Sequence, residues 1–326
     1  MTTIGIIGDG GWGTAIGKIL CDKGHDVALW GHDAAYLDTM RASGENSRFL
    51  PGIRLPATLA FEPSLDALAS REILVNAVPT AFLRGVFTRL RGRALPPLVS
   101  LTKGIERETH RRPSEILHEL VPGSTVAVLS GPSHAEEVAR GLPCTVVVAS
   151  DTPGFAATVQ QIFMTPLFRV YTSTDAIGVE LGGALKNVIA LAAGILEGLG
   201  LGDNTRSALF TRGLLEMTRL GVALGARAET FAGLSGVGDL FTTCVSPFGR
   251  NRAFGLDIAA GKSLNDILAS RQTVAEGVYS CHSAFELARR LGVDMPITEA
   301  LHAVLHDGAD PRAAIAALMT RAPKAE

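Results

Sequence analysis

The chain has few cysteines, a small net charge and no long hydrophobic run, and each shortage excludes a class of protein. Its four cysteines lie far apart and none forms a C-x-x-C pair. This argues against a zinc site and a disulfide framework, and it fits a reducing cytoplasm. A formal net charge of −2 on 326 residues provides no global field that would recruit nucleic acid or an anionic membrane. We therefore expect any anionic ligand to be held by a few local cations.

The sequence also lacks a recognisable targeting or membrane-spanning segment. Met1 is followed almost at once by the strand-like run Ile4–Ile7, with no charged stretch and cleavage site before it. The longest apolar run, Val188–Leu196, is too short to span a bilayer. These absences predict a soluble cytoplasmic protein without membrane insertion.

The first half of the chain consists of short apolar runs that alternate with amphipathic segments of helical length. This alternation predicts an α/β fold with a doubly wound, mostly parallel sheet. The predicted strands are Ile4–Ile7, Val27–Trp30, Ile73–Val78, Leu98–Leu101, Val126–Leu129, Thr145–Ala149 and Phe168–Tyr171. The predicted helices between them include Trp12–Lys23, Ala81–Leu90, Pro113–Leu120 and Thr152–Phe163.

From about Val179 the strand-like runs disappear and long helical patterns replace them. The clearest of these patterns are Leu181–Leu199, Thr205–Leu224 and Ser280–Leu291. We therefore predict an α/β domain of residues 1–178, followed by an all-α domain of residues 179–326.

A glycine-rich turn joins the first predicted strand to the first predicted helix. Gly8, Gly10 and Gly13 match G-x-G-x-x-G, in which the three glycines permit a tight turn, close approach of a pyrophosphate, and close packing of helix on strand. The free N–H groups of the helix that opens near Trp12 would hold the phosphates. The turn therefore predicts a Rossmann-type dinucleotide-binding domain. For Trp12 the alternative role is simple packing of the helix on the sheet.

The end of the second predicted strand bears on which dinucleotide binds. A fold that prefers NAD usually places a carboxylate there for the ribose 2′-OH. This chain has Gly31, which leaves room for a 2′-phosphate, and His32, which could donate to that phosphate. Asp33 could instead accept from a free 2′-OH. The pattern predicts NAD or NADP as cofactor, with a lean towards NADPH.

Lys103 and Ser133 follow later strands, at the edge of the sheet where ligands of doubly wound folds bind. Lys103 could hold a substrate oxygen or phosphate, or it could be an ordinary solvated lysine. Ser133 lies three residues before Glu136, a spacing that predicts a helix cap without excluding backbone contacts to a ligand.

Lys186 and Asn187 are the only polar side chains in the long run between Glu180 and Glu197. A helix that is apolar all round is buried, and a buried lysine is rare unless it is paired or functional. Burial lowers a lysine's pKa, which suits it to proton transfer near neutral pH. The alternative is a salt bridge between domains. Asp239, which a glycine-rich turn presents, could pair with this lysine.

Two further groups of polar residues could bind a ligand or could simply be solvated surface residues. Arg250 and Asn251 open a predicted helix, which would make a phosphate seat, although a surface basic cluster is the alternative. His302 and His306 are four residues apart, but the pattern offers no third ligand. A solvated helix face is the better interpretation of this pair, so no metal is expected.

With these residues in view, the chain resembles the family of bacterial-type NAD(P)-dependent sn-glycerol-3-phosphate dehydrogenases over nearly its whole length. The motifs that carry the resemblance are Gly8–Ala15, Asn76–Thr80, Ser100–Glu106, Ser130–Ala135, Gly183–Val188, Gly202–Asn204, Thr211–Met217 and Gly249–Arg252. The resemblance implies an enzyme that reduces dihydroxyacetone phosphate to sn-glycerol-3-phosphate, the backbone precursor of phospholipids.

The resemblance also implies roles for individual residues. The catalytic residues would be Lys186, as proton donor and acceptor, with Lys103 and Asp239. The cofactor would contact Gly8, Gly10, Gly11, Trp12, Gly13, His32, Lys103, Ala135, Arg250, Val274 and Glu276. The substrate, a small phosphate ester, would contact Lys103, Gly131, Ser133, Lys186, Asn187, Asp239, Thr243, Gly249, Arg250 and Asn251.

The chain departs from the family pattern at four positions and leaves other functions open. Gly11 and Gly249 stand where serine is expected, His134 where phenylalanine is usual, and Glu197 where aspartate is typical. The alternatives are a two-domain dehydrogenase acting on a hydroxy acid or a 6-phosphogluconate-like substrate, and a non-catalytic NAD(P)H sensor. The apolar second domain permits a homodimer but does not require one.

Overall fold

The computed structural model describes residues 1–270, 276–323 and 325, and the chain divides into two compact units. Unit 1 comprises Met1–Lys103 and Arg112–Glu180, and unit 2 comprises Gly104–Arg111 and Leu181–Glu326. The segment Gly104–Arg111 therefore belongs to unit 2, although residues of unit 1 precede and follow it in the sequence.

Unit 1 contains an eight-stranded sheet in the order β10-β9-β8-β7-β6-β1-β2-β5 among the residues described. Its neighbouring strands are parallel except β8 and β9, so the predicted doubly wound, mostly parallel sheet is confirmed. A separate hairpin pairs β3 with β4. The strands are β1 Thr3–Ile7, β2 Asp26–Trp30, β3 Glu45–Asn46, β4 Leu50–Arg54, β5 Ala60–Phe61, β6 Ile73–Asn76, β7 Leu98–Ser100, β8 Val126–Ser130, β9 Cys144–Ala149 and β10 Phe168–Ser173.

Helices cover both faces of this sheet, which explains why its strands are continuous apolar runs. Alternate residues of one strand enter different cores: Ile6 packs into one hydrophobic cluster and Ile7 into the other, and both are fully buried. The helices are α1 Gly11–Asp22, α2 Ala34–Ser43, α3 Thr80–Thr88, α4 Pro113–Leu120, α5 Ala135–Ala139 and α6 Phe155–Phe163, with a 3₁₀ turn at Leu65–Ser70.

The sequence predictions do not include helix α2, the β3–β4 hairpin, strand β5 or the 3₁₀ turn of unit 1. Asp33 begins α2, because its carboxylate accepts a hydrogen bond from the Tyr36 N–H at 3.1 Å. The hairpin is anchored by Asn46, whose Nδ2 donates to the Asp9 carbonyl and to the Thr14 hydroxyl, each at 2.7 Å. These contacts join residues more than thirty positions apart, so a local pattern could not reveal them.

Unit 2 is helical, as the second half of the sequence predicts. Its helices are the larger part of α7 Ala176–Gly198, then α8 Asp203–Ala223, α9 Ala228–Phe231, α10 Asp239–Val245, α11 Arg250–Ala259, α12 Leu264–Ser270, α13 Glu276–Leu291, α14 Pro296–His306 and α15 Pro311–Met319. A π-helical turn, Leu234–Gly238, precedes α10.

Helix α7 begins five residues earlier than predicted, because the Asp175 carboxylate accepts a hydrogen bond from the Gly178 N–H at 2.9 Å and caps it. The helix is long and apolar enough to cross a membrane, but 94% of its most apolar window is buried inside the protein. A core helix of a folded domain meets the same criteria of length and composition.

Helix α7 crosses α11 with their main chains in contact. A Cβ atom added to Gly194 would lie 2.0 Å from the Arg252 carbonyl oxygen, and one added to Gly255 would lie 2.1 Å from the Leu191 carbonyl oxygen. Neither position can hold a larger residue without moving a helix. The two glycines therefore fix the spacing between α7 and the start of α11.

Candidate active site

The glycine-rich turn of unit 1 has the geometry that its motif requires. Gly8 has a φ of +118°, a conformation that side-chain-bearing residues rarely adopt. A Cβ atom on Gly13 would lie 2.1 Å from the Gly8 carbonyl oxygen, so Gly13 allows α1 to pack against the strand end. A Cβ on Gly10 would meet nothing within 4 Å. Gly10 therefore faces open space at the start of α1, where an anionic group can approach the helix N-terminus.

The departure at Gly11 has a structural reason. A Cβ atom there would lie 2.5 Å from the Phe49 carbonyl oxygen, in the turn that precedes β4, and 3.7 Å from the Ala135 side chain. A serine would require the Phe49 main chain to move. The next residue, Trp12, packs into the core with its ring 6.4 Å from that of Phe168, so it does pack the helix on the sheet.

The residues after β2 correct one sequence inference. Gly31 was expected to leave room for a 2′-phosphate, but a Cβ on Gly31 would lie 2.5 Å from the Asp9 carboxyl carbon. The Asp9 side chain occupies that space, and burial raises the pKa of Asp9. Asp33 caps α2 and also pairs with Arg48 at 3.0 Å. His32 is exposed.

Arg48 contributes a positive charge that no sequence motif indicates. Its guanidinium lies 3.9 Å from the centre of the Tyr36 ring and bonds to Asp33, yet about half of its side chain is exposed. It therefore places a partly solvated positive charge next to the end of β2. No short motif marks it, because its partners come from α2 and not from its own turn.

Lys103 lies within a cluster of polar groups at the strand ends of unit 1. Its Nζ donates to the Gly131 carbonyl at 3.0 Å and lies 3.5 Å from the Ser133 hydroxyl. The predicted cap by Ser133 is wrong: α5 has His134 at its N-cap, without a side-chain cap hydrogen bond, and the Ser133 hydroxyl donates to the Gly131 carbonyl at 2.9 Å. The structure thus brings together three predicted residues, Lys103, Gly131 and Ser133, as a partly buried, positively charged cluster.

A buried network below Lys103 fixes the loop that carries it. Asn76 at the end of β6 donates to the Thr102 hydroxyl at 2.8 Å, and that hydroxyl donates to the Val78 carbonyl at 2.7 Å. The side-chain oxygen Oδ1 of Asn76 accepts a hydrogen bond from the Val78 N–H at 3.2 Å. This contact ends β6 at Asn76, two residues before the predicted end.

The predicted partnership of Lys186 and Asp239 in unit 2 is confirmed. Lys186 Nζ lies 2.5 Å from Asp239 Oδ1 and 2.7 Å from the Thr243 hydroxyl. Lys186 is 6% exposed and Asp239 is 1% exposed. Two opposite charges at this distance and depth stabilise each other, and removal of either one would leave an uncompensated buried charge. The lysine therefore has a fixed orientation, with oxygens of Asp239 and Thr243 among its partners.

The small residues near Lys186 do not leave space for a ligand along the whole helix. A Cβ on Gly182 would lie 2.6 Å from the Ser235 carbonyl oxygen, so main chain of the π-helical turn occupies that place. A Cβ on Gly236 would lie 2.0 Å from the Phe231 carbonyl oxygen. These close approaches position the turn so that Asp239, the first residue of α10, faces Lys186.

Asn187 and Asn251 form a second pair in unit 2. Asn251 Nδ2 donates to Asn187 Oδ1 at 2.9 Å, and Asn251 Oδ1 accepts from the Gly277 N–H at 2.9 Å. The pair joins α7, α11 and α13. Asn251 thus has a structural role in addition to any contact with a ligand, and one N–H of its amide is left for such a contact.

The other predicted residues of unit 2 lie around this pair. Arg250 is exposed at the first position of α11, and Gly249 is its N-cap. A serine in place of Gly249 would not fit without a shift, because a Cβ would lie 2.6 Å from the Thr243 carbonyl oxygen. Glu276 is buried at the start of α13. Val274 lies outside the described residues.

Family profiles that together match most of the chain identify its family. The profile of the NAD-dependent glycerol-3-phosphate dehydrogenase N-terminus matches residues 3–156, and that of the C-terminus matches residues 175–316. The chain is 50% identical to a glycerol-3-phosphate dehydrogenase, NAD(P)+, of Geobacter sulfurreducens, over 99% of this chain and 98% of that protein. It is 49% identical to the protein of the same description from Geobacillus kaustophilus, over 100% and 96%.

A solved structure extends the agreement to the whole fold. The crystal structure of glycerol-3-phosphate dehydrogenase from Coxiella burnetii superposes with a TM-score of 0.94 at 37% identity, and the match covers 98% of this chain and 99% of that one. Family profiles, relatives and fold therefore point the same way, as do the glycine-rich turn and the buried lysine. The chain belongs to the NAD-dependent glycerol-3-phosphate dehydrogenase family.

Proposed function

We propose that this protein catalyses the reversible reduction of dihydroxyacetone phosphate to sn-glycerol-3-phosphate with NADH or NADPH, and so supplies the glycerol backbone for phospholipid synthesis. Residues 1–178 would bind the dinucleotide, and residues 179–326 would bind the substrate and carry the proton donor. The single observation that carries the proposal is the Lys186 amine, buried and held between Asp239 and Thr243.

Lys186 is the proposed proton donor and acceptor. Reduction of a ketone requires a hydride at the carbonyl carbon and a proton at the carbonyl oxygen, and bound NAD(P)H would supply the hydride. The Lys186 ammonium would give its proton to that oxygen in the forward direction and would regain a proton before the next turnover. Asp239 fixes the direction of the Lys186 amine, whereas Thr243 offers a hydroxyl that can exchange hydrogen bonds with it.

The turn at Gly8–Gly13 supports dinucleotide binding. Open space at Gly10 and the uncapped start of α1 fit a pyrophosphate, which the helix N–H groups would bind. The proposed cofactor contacts are Gly8, Gly10, Gly11, Trp12, Gly13, His32, Lys103, Ala135, Arg250, Val274 and Glu276.

The remaining cations would bind the substrate and stabilise charge. Arg250 is exposed at the N-terminus of α11, a position that suits the phosphate end of the substrate. Lys103 would stabilise the negative charge that develops on the substrate oxygen. The proposed substrate contacts are Lys103, Gly131, Ser133, Lys186, Asn187, Asp239, Thr243, Gly249, Arg250 and Asn251.

Arg48 supports use of NADPH. Its exposed part lies beside Asp33 at the end of β2, where the adenosine ribose of a dinucleotide binds in this class of fold. A guanidinium there would attract a 2′-phosphate, and Asp33 is already occupied by its cap and ion pair. We therefore propose that both dinucleotides are accepted and that NADPH is preferred.

The proposed setting is the cytoplasm, without membrane insertion and without a nucleic-acid partner. The net charge of −2 supports the last point, because it provides no basic field. A homodimer is the assembly to test, by light scattering on the purified chain.

The test is a matrix of initial rates, with NADH and NADPH against dihydroxyacetone phosphate, a 2-keto acid and 6-phosphogluconate (with NAD+ or NADP+ for the last). We expect oxidation of the reduced dinucleotide with dihydroxyacetone phosphate and its loss in Lys186→Ala. Undiminished turnover in Lys186→Ala would refute the role of the lysine. Turnover with another substrate class alone would identify a different dehydrogenase, and binding of NAD(P)H without any turnover would identify a sensor.

A further inference from the structure

Three histidines of unit 2 meet on the surface of the α13–α14 pair. They are His282 of α13 and His302 and His306 of α14, and one ring nitrogen from each lies within 4.8 Å of the other two. His282 Nδ1 and His302 Nε2 are 3.3 Å apart. The sequence shows only the pair on α14, because the third member comes from the neighbouring helix.

The fold holds these rings in place from two sides. His302 and His306 are four residues apart, so they project from the same face of α14. That face packs on α13, where the Phe285 ring stacks on His302 with ring centres 4.0 Å apart. His302 is only 9% exposed, whereas His306 is exposed. The cluster therefore has a buried, oriented member and a member that solvent reaches.

We propose that His282, His302 and His306 form a binding site for one divalent transition-metal ion, with Zn²⁺ as the first candidate. Imidazole nitrogens are the ligands that Zn²⁺, Ni²⁺ and Cu²⁺ prefer, whereas Mg²⁺ and Ca²⁺ prefer oxygen. Two nitrogens bound to a tetrahedral zinc at about 2.0–2.1 Å lie about 3.3 Å from each other. His282 and His302 already have that separation.

The third ligand needs only a small movement. Closing the remaining distances from at most 4.8 Å requires a rotation of the His306 ring, which its exposure allows. Three histidines leave the fourth tetrahedral position for water.

Asp307 completes the arrangement as an outer partner. Its Oδ2 lies 3.6 Å from His302 Nδ1, the ring nitrogen that faces away from His282. A carboxylate in that place orients a ligating histidine and increases its basicity.

The neighbouring charges are mixed and do not exclude a cation. Glu286 and Asp307 act on His302 as negative charges, and Arg107 acts on His306 as a positive charge. A bound ion would join the middle of α13 to the end of α14. We therefore expect it to raise the stability of the helical unit and to leave the chemistry of Lys186 unchanged.

The test uses the full chain without an affinity tag and Co²⁺ as a spectroscopic probe. We expect one equivalent of Co²⁺ per chain, with the intense visible bands of a tetrahedral ion, and displacement of those bands by one equivalent of Zn²⁺. His306→Gln should lose the tetrahedral spectrum and weaken Zn²⁺ binding, measured against a chromophoric chelator, by at least about 100-fold. Asp307→Asn should weaken it by about 10- to 100-fold, the usual cost of losing an outer partner.

The matched control is His118→Gln, which removes an exposed helical histidine from α4 of unit 1 and should change nothing. His306 is exposed, so its variant should fold normally; His282→Gln, checked by circular dichroism, gives an independent second removal. Zn²⁺ should raise the melting temperature of the wild type and of the control, and of neither cluster variant. Failure of the wild type to take up one equivalent, or retention of that equivalent in both cluster variants, would overturn the proposal.

Discussion

The proposed dinucleotide site of unit 1 is formed mainly by main chain, whereas the proposed catalytic site of unit 2 is formed by side chains. In unit 1 the dinucleotide turn is a main-chain structure, in which the important property of Gly8, Gly10 and Gly13 is the absence of a side chain. In unit 2 the proposed reactive group is a side chain, and Lys186 is held by the side chains of Asp239 and Thr243. A main-chain site is sensitive to added atoms, whereas a side-chain site is sensitive to lost atoms and lost charge.

This difference also decides what can be read from a sequence. Few structures require glycines at a fixed spacing directly after a strand, so the dinucleotide turn is recognisable as a motif. A buried charge is visible as a polar residue in an apolar helix, but its partner Asp239 lies 53 residues away and is suggested only by the glycine-rich turn that presents it.

Removal of Lys186 should have the largest effect. In Lys186→Ala we expect kcat to fall by about 10²- to 10⁴-fold, the usual contribution of a general acid or base. The affinity for NAD(P)H, measured by fluorescence titration, should stay within about twofold, because the turn of unit 1 is untouched. The variant should also lose stability, since Asp239 is left as an unpaired buried charge.

The control for this variant is Lys262→Ala, which removes an exposed lysine that pairs with Asp257 on the surface of α11. It should leave kcat and stability unchanged. An equal fall of kcat in both variants would mean that charge in general, and not the buried amine, supports turnover.

Buried carboxyls extend the comparison to stability. Glu180 of unit 1 accepts hydrogen bonds at the start of α4 and pairs with Arg112 at 2.7 Å. Glu216 of unit 2 accepts from the N–H groups of Ile297 and Thr298 at the start of α14, and burial raises its pKa to about 7. Between pH 4.5 and 7 the unfolded chain has lost the Glu216 proton and the native protein retains it. The protonated Glu216 therefore contributes its full share to the free energy of unfolding at acid pH, and this share is lost as the pH rises towards 7.

The expected size of this effect is about 3 kcal/mol, because each pKa unit corresponds to about 1.4 kcal/mol. The measurement is the difference in free energy of unfolding between wild type and Glu216→Gln, from urea titrations at pH 5, 6, 7 and 8. Wild type should lose stability relative to the variant across this range. If wild type instead gained stability relative to Glu216→Gln as the pH rises, the three hydrogen bonds, including that of the Thr298 hydroxyl, would be keeping the carboxyl ionised.

Two glycines of the turn separate folding from binding. Gly13→Ala places a Cβ 2.1 Å from a carbonyl oxygen and should lower both the melting temperature and the dinucleotide affinity. Gly10→Ala adds a Cβ in open space, so it should leave the melting temperature unchanged and weaken dinucleotide binding by about 10- to 100-fold. Unchanged binding in Gly10→Ala would mean that the pyrophosphate does not approach this residue.

Arg48 should give the smallest effect, and one that is selective. In Arg48→Ala we expect kcat/KM for NADPH to fall by about 10-fold while the value for NADH stays nearly constant. Only NADPH carries a 2′-phosphate, so only NADPH would lose a charge-assisted hydrogen bond to Arg48. The control is Arg41→Ala, which removes an exposed arginine from α2 that pairs with Asp38. Equal loss for both dinucleotides would remove Arg48 from the choice of cofactor.

Much of the fold was predictable because it depends on local periodicity. Pro113–Leu120 has the bounds observed for α4, and the predicted strands lie within two residues of those observed. The β3–β4 hairpin was missed because β3 is only two polar residues long and the hairpin is fixed by Asn46 contacts to Asp9 and Thr14. The room expected at Gly31 was wrong because its occupant, Asp9, comes from a different strand end.

The chemistry followed the same division. Lys186, Lys103 and the turn were recognisable as single positions, and Asp239 as a plausible partner. Arg48 and His282 were not, because the role of each depends on a contact with a different element of the fold, α2 for Arg48 and α14 for His282. A partner on a neighbouring element leaves no trace in the spacing of one segment.

The crossing of α7 and α11 has a consequence for substrate selection under the proposed function. Gly194 and Gly255 bring the main chains of α7 and α11 into contact. The Asn187–Asn251 hydrogen bond joins the same two helices next to Lys186, so the helix crossing sets the interval between Lys186 and the first turn of α11. That interval would fix the distance between the reacting carbon and the phosphate of the substrate. Acceptance of a ligand one carbon longer would require the helices themselves to separate. Directed evolution towards such ligands should therefore begin at these two glycines, before any residue that touches the substrate.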